Sequence, residues 1–163
     1  MTVTSVNEDF DQLELTLAAD FDAPVERVWQ LWADPRKLER WWGPPSYPAT
    51  VDEFDLNPGG TVGYHMTGPE GDQPHGWWKV DSVAPPTRLE FTDGFADDHG
   101  EPLPDSPRIG MRVSLTRRGT AGSGTRMELS STFRNEQEMH QMSDMGMAEG
   151  MREAAEQMDR LLG

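Results

Sequence analysis

The stretch FDAPVERVWQLWADPRKLERWWGP, residues 21–44, decides the fold. Pro24 stands where a first helical turn tolerates a missing N–H. Val25, Val28, Trp29 and Trp32 follow at spacings of three and four, which gives one face of a short helix an apolar stripe. Asp34-Pro35 breaks that helix. Leu38, Trp41 and Trp42 suggest a second helical piece, which Gly43-Pro44-Pro45 stops. The spacing therefore predicts a bent pair of short helices.

On either side of this pair the period changes from helical to two. Upstream, Leu13, Leu15 and Leu17 alternate with Glu14 and Thr16, as in a strand with one buried face, and residues 1–9 are expected to form a flexible N-terminus. Downstream, residues 51–56 and then Val62, Tyr64 and Met66 flank an Asn57-Pro58-Gly59-Gly60 turn. Segments 77–83, 89–91, 109–115 and 127–133 alternate or are dense in β-formers, and Gly or Pro clusters separate them. From Asn135 onward proline disappears, and Met147, Met151, Ala154, Ala155, Met158, Leu161 and Leu162 recur at helical spacing. The expectation is one α+β domain over residues 1–163. It has an antiparallel sheet of about six to seven strands, and one long C-terminal helix laid across it to bury its concave face.

Composition narrows the function classes. With 29 acidic against 14 basic residues the net charge is -15, which repels phosphate backbones and anionic headgroups, so neither nucleic acid nor a membrane is expected as a partner. The absence of cysteine excludes disulfides, thiolate nucleophiles and cysteine zinc sites. No basic stretch followed by an apolar run opens the chain, and no window of about 18 apolar residues occurs, so a cytoplasmic location is expected.

Residues 21–44 resemble the opening helix pair of the START-like (SRPBCC, Bet v 1-like) superfamily, in the subfamily related to the activator of the heat-shock-protein-90 ATPase. FDLNPGGTVGYHMTGPEG at 54–71 is similar to its second hairpin and GWWKVDSVAPPTRLEFTDGF at 76–95 to its central strands. EQEMHQMSDMGMAEGMREAAEQMDRLL at 136–162 is similar to its closing helix. The resemblance implies a helix-grip fold whose sheet and helix enclose a cavity for a hydrophobic or aromatic small molecule. Where family members often carry Trp after the glycine of the last helix, this chain has Gly146-Met147. Flexible, polarizable methionine suits a larger and more adaptable pocket, although ordinary core filling explains it more economically.

No sequence pattern for catalysis is present: there is no HExxH pair, no GxSxG and no phosphate-binding glycine loop. His65, His75, His99 and His140 show no close metal-ligand spacing, so no metal and no other cofactor is expected. The expected ligand-lining residues are Tyr64 and Met66, Trp78, Phe91, Met111 and Val113, Met127, Leu129 and Ser131, with Met147 and Met151 from the last helix. Tyr64 and Ser131 are the polar members, each able to orient a ligand by one hydrogen bond or to sit in the core satisfied by backbone or water. Adjacent strand residues face opposite ways, so only one of Trp77 and Trp78 points inward; phase with Val80 favours Trp78. His140 and Glu149 would form an acid–base pair only if turned inward, and a solvated helix face suits them better. The acidic, proline-rich segment 93–107 is either a lid or plain solvated disorder.

Binding or carriage of a hydrophobic, aromatic or polyketide-like molecule without catalysis is the expected function. The resemblance also implies two alternatives tied to antibiotic biosynthesis: cyclisation of a polyketide, or protection against enediynes by self-sacrificing cleavage. A co-chaperone role is a further alternative, with a protein partner that nothing in the residues specifies.

Overall fold

Alternation along the strands builds the core. In Glu14–Phe21, Leu15, Leu17, Ala19 and Phe21 are buried while the residues between them are not. The computed structural model describes residues 2–163. Its strands are β1 (Val3–Asp9), β2 (Glu14–Phe21), β3 (Ala49–Phe54), β4 (Thr61–Met66), β5 (His75–Ala84), β6 (Arg88–Ala96), β7 (Arg108–Arg118) and β8 (Gly124–Phe133). They form a single antiparallel sheet in the order β1-β2-β8-β7-β6-β5-β4-β3.

This architecture is α+β with eight strands rather than six or seven. The extra strand is β1, in the segment expected to be flexible. Val3, Val6 and Glu8 stand opposite Ala19, Leu17 and Leu15 of β2. Only Val3 among β1 residues is buried, so ladder hydrogen bonds more than apolar contacts hold this edge strand. Leu13 is not part of β2; it occupies the connecting turn at φ 56°.

The helices are α1 (Val25–Ala33), α2 (Pro35–Leu38), α3 (Glu136–Asp144) and α4 (Met147–Leu162). The bent pair α1–α2 forms as its spacing predicts: Val25, Val28, Trp29, Leu31 and Trp32 are the buried face of α1. Asp34 ends α1 and caps α2 by accepting from the Arg36 N–H. The Arg36 guanidinium donates to the Val51 carbonyl, and Glu39 accepts from the Val51 N–H, which ties α2 to β3.

The expected single C-terminal helix is two. Gly146, at φ +84°, separates α3 from α4; an L-residue rarely adopts that angle, so the glycine overrides the methionine periodicity on either side. α4 packs on β1, β2 and α1. Gln157 also donates to the carbonyls of Trp41 and Gly43, fixing the turn after α2.

Candidate functional site

β4, β5 and β6 place a polar pair on the inner face. Tyr64 of β4 is buried, and its hydroxyl donates to Asp93 Oδ1 of β6 at 2.9 Å. Between them runs β5, where the residue opposite Tyr64 is Gly76. A Cβ on Gly76 would collide with the Tyr64 ring and hydroxyl, so the missing side chain is what allows the phenol to cross that strand.

Asp93 lies deep in the fold yet keeps a partly accessible edge. Desolvation pushes its carboxyl from 3.8 up to about 7, against the Tyr64 hydroxyl and the Gly94 N–H, which both favour the charged form. Burial, and next the Asp93 charge, push the Tyr64 phenol well above its ordinary value. At neutral pH Asp93 is therefore poised between donor and acceptor, while Tyr64 is a donor.

Aromatic rings surround the pair. Trp78, opposite Asp93 in the β5–β6 ladder, stacks on Phe91 with centroids 3.9 Å apart. Trp42 meets Trp78 edge-on at 4.9 Å and Tyr64 at 5.8 Å, and Trp32 meets Trp41 at 4.6 Å. Trp41 donates its indole N–H to the Leu31 carbonyl and Trp42 turns its indole N–H toward the Tyr64 hydroxyl without an aligned hydrogen bond, but among the described residues the buried indole nitrogens of Trp32 and Trp78 have no acceptor. Two unpaired donors in one aromatic cluster are costly, each by about 1–3 kcal/mol.

The other expected lining residues form a second patch on the same face. Met111 and Ser131 are register partners, as are Val113 and Leu129. The Ser131 hydroxyl is fully buried and faces thioethers: Met111 Sδ at 3.1 Å and Met151 Sδ of α4 at 3.9 Å. Met127, Val113, Phe91 and Trp78 are fully buried, whereas Met66, Met147 and Met151 are half-buried at the margin. The strands and α4 thus bring the expected residues to one face, packed around movable methionine side chains.

Trp77 faces the opposite way, as phase required, donating to the Phe95 carbonyl beneath the Arg108 guanidinium. It borders a cleft of about 500 Å³ on the outer face with Lys79, Thr92, Pro102 and Arg108. Another cleft, of about 350 Å³, lies between α1, α2 and the end of α4. Of the expected lining residues only Trp78 borders either cleft.

Segment 93–107 is shorter as a loop than its composition suggests, because β6 continues to Ala96 and takes Asp93 into the sheet. Asp97 then accepts from the backbone N–H of His99 and Glu101, and Ala96 bridges Pro102. His140 is outside the inner face: it stacks on Phe10 at 4.4 Å and approaches Glu136. Glu149 is exposed and reaches Arg152. Among the described residues no helix is long and apolar enough to cross a membrane.

An open eight-stranded antiparallel sheet packed against a C-terminal helix, with an aromatic inner face, defines a helix-grip protein of the START-like class. Within it, residues 22–163 match the family of Activator of Hsp90 ATPase homolog 1-like proteins, and the chain belongs to that family. A solution structure from Arthrobacter aurescens is 47% identical with a TM-score of 0.92, covering 99% of this chain and 92% of its own. Protein Ms6760 from Mycobacterium smegmatis is 45% identical with a TM-score of 0.88, covering 99% and 97%. DynU16, described as a protein of the dynemicin biosynthetic locus, shares the fold at 22% identity and a TM-score of 0.60 over 88% of this chain and 46% of its own. No curated protein sequence matches the chain.

Proposed function

We propose that this protein binds or carries a hydrophobic, aromatic or polyketide-like small molecule on the inner face of its sheet, without transforming it. The observation that carries this reading is the Tyr64–Asp93 pair set among aromatic rings, two of which, Trp32 and Trp78, bury indole donors without partners. Apolar surfaces with a few convergent polar groups are what such ligands use: the rings supply area and stacking, and the polar atoms fix orientation. A ligand carbonyl near the pair would accept from an indole N–H or from protonated Asp93, and a ligand phenol would donate to ionised Asp93. Methionines 111, 147 and 151 are the side chains that would move to admit it, since unbranched thioethers change rotamer cheaply.

The test is a titration of the protein with a panel of aromatic polyketides, followed by amide chemical shifts. Saturable shifts at Tyr64, Met111, Met127, Met147 and Met151, weakened at least tenfold in Asp93→Asn and Tyr64→Phe, are expected. Absence of any shift, or shifts that ignore both substitutions, would remove this reading. The fold shared with DynU16 motivates adding an activated enediyne to the panel, with the samples then run on a gel. Cleavage of the chain there would favour self-sacrificing protection over carriage.

A further inference from the structure

We propose that Asp52, His65 and His75 form a binding site for a first-row divalent transition ion, Zn²⁺ being the probe of choice, on the outer face of the sheet. The two histidines are ten positions apart in sequence, but the β4–β5 hairpin makes them direct register partners, with ring centroids 5.3 Å apart. Asp52 joins them through a bulge in β3. Val51 pairs with Tyr64 and Glu53 with Gly63, so Asp52 is the extra residue that the bulge re-aims toward His65. One donor atom from each of the three side chains lies within 4.8 Å of the other two. Zinc bonds to imidazole nitrogen and carboxylate oxygen are about 2.0–2.2 Å, so a small rotation of these side chains would bring the three donors onto one ion.

The surroundings are those of a ligand set. His75 Nδ1 lies 2.9 Å from the Gln73 carbonyl, which fixes the proton on Nδ1 and leaves Nε2 its lone pair. His65 Nδ1 lies 2.7 Å from Asp52 Oδ2, so the carboxylate and imidazole already face one another across a hydrogen bond that a divalent ion would replace. Both histidines are half-buried and held in place. Two imidazoles and one carboxylate suit zinc, copper or nickel, with water completing the shell, and disfavour calcium and magnesium, which prefer all-oxygen sites. The net charge of -15 raises the local concentration of cations. Because β3 is an edge strand, the ion would clamp it to β4 and β5.

The experiment is competition between tag-free protein and a chromophoric chelator for Zn²⁺, read with amide hydrogen exchange. One tightly bound equivalent is expected, with exchange slowed across residues 49–54. His65→Ala and His75→Ala should each weaken binding at least tenfold and Asp52→Asn about tenfold, in the range seen when ligand-shell groups are lost. His99→Ala and His140→Ala, remote from the cluster, should leave it unchanged. Circular dichroism verifies that each variant is folded. The proposal is overturned if the chelator keeps all the zinc, or if bound zinc is indifferent to the loss of His65 and His75. Since the inner face takes no part, its ligand tests can fail without affecting this result.

Discussion

Tyr64 and Asp93 are joined by a 2.9 Å hydrogen bond across a strand that belongs to neither, passing over Gly76. The bond exists because one position in β5 lacks a Cβ. Gly76→Ala should break it and force the phenol aside, with a loss of about 1–3 kcal/mol for the displaced, overpacked core. In chemical denaturation the midpoint should fall without a change in slope.

Asp93 should also make stability depend on pH, with a sign opposite to that of most paired carboxylates. Its folded value, about 7, lies above the unfolded 3.8. Between those values the folded chain holds a proton that the unfolded chain has released. Stability therefore falls as pH rises from about 4 to about 7 and is level above that. Asp93→Asn should abolish this component, and the difference between wild-type and variant melting profiles across that interval measures it.

Two glycines of the C-terminal region should respond in opposite directions. Gly146 has open space around it but φ +84°, so Gly146→Ala should cost about 1–2 kcal/mol from backbone strain, while Gly146→Asn costs less. Gly150 also has open space and lies within α4, so Gly150→Ala should stabilise by about 0.5–1 kcal/mol. For a chain of this length, calorimetry should register each as about 2–4 °C per kcal/mol.

Met151→Ala should cost about 2 kcal/mol, the low end for methionine truncation because the side chain is half-buried. It also takes away one of the two thioethers facing the Ser131 hydroxyl and opens space beneath α4. The variant should melt lower when free, yet accept bulkier members of the aromatic panel than wild type does, as paired thermal-shift series would show.

Much of the layout was legible because burial imposes period two on strands such as β2 and β8 and period 3.6 on α1. β1 was not legible: an edge strand with one buried residue has no apolar rhythm to detect. The break at Gly146 was outvoted by methionines in helical phase on both sides, although a glycine following Ser-Asp-Met was the available signal. Tyr64 and Trp78 were legible as inward residues by phase alone. Asp93 was missed because DGFADDHGEP has the composition of a turn. Its phase with Leu89 and Phe91 pointed inward, but the Asp-Gly pair ended the expected strand too early. The juxtaposition of His65, His75 and Asp52 was not legible for a different reason, since these residues meet through hairpin register and a bulge, and no short spacing motif encodes either.

Tyr64 and His65 are neighbours in sequence that look out on different worlds, one onto the aromatic interior and one onto solvent. Neither can change sides alone. One residue inserted into or deleted from β4 would send the histidine into the interior and expel the phenol, undoing both clusters together. The alignment of β4 with its two neighbours is thus a single inherited setting on which two chemistries depend, and the Asn57–Gly60 turn and the Asp52 bulge that fix it are as much a part of them as the side chains themselves.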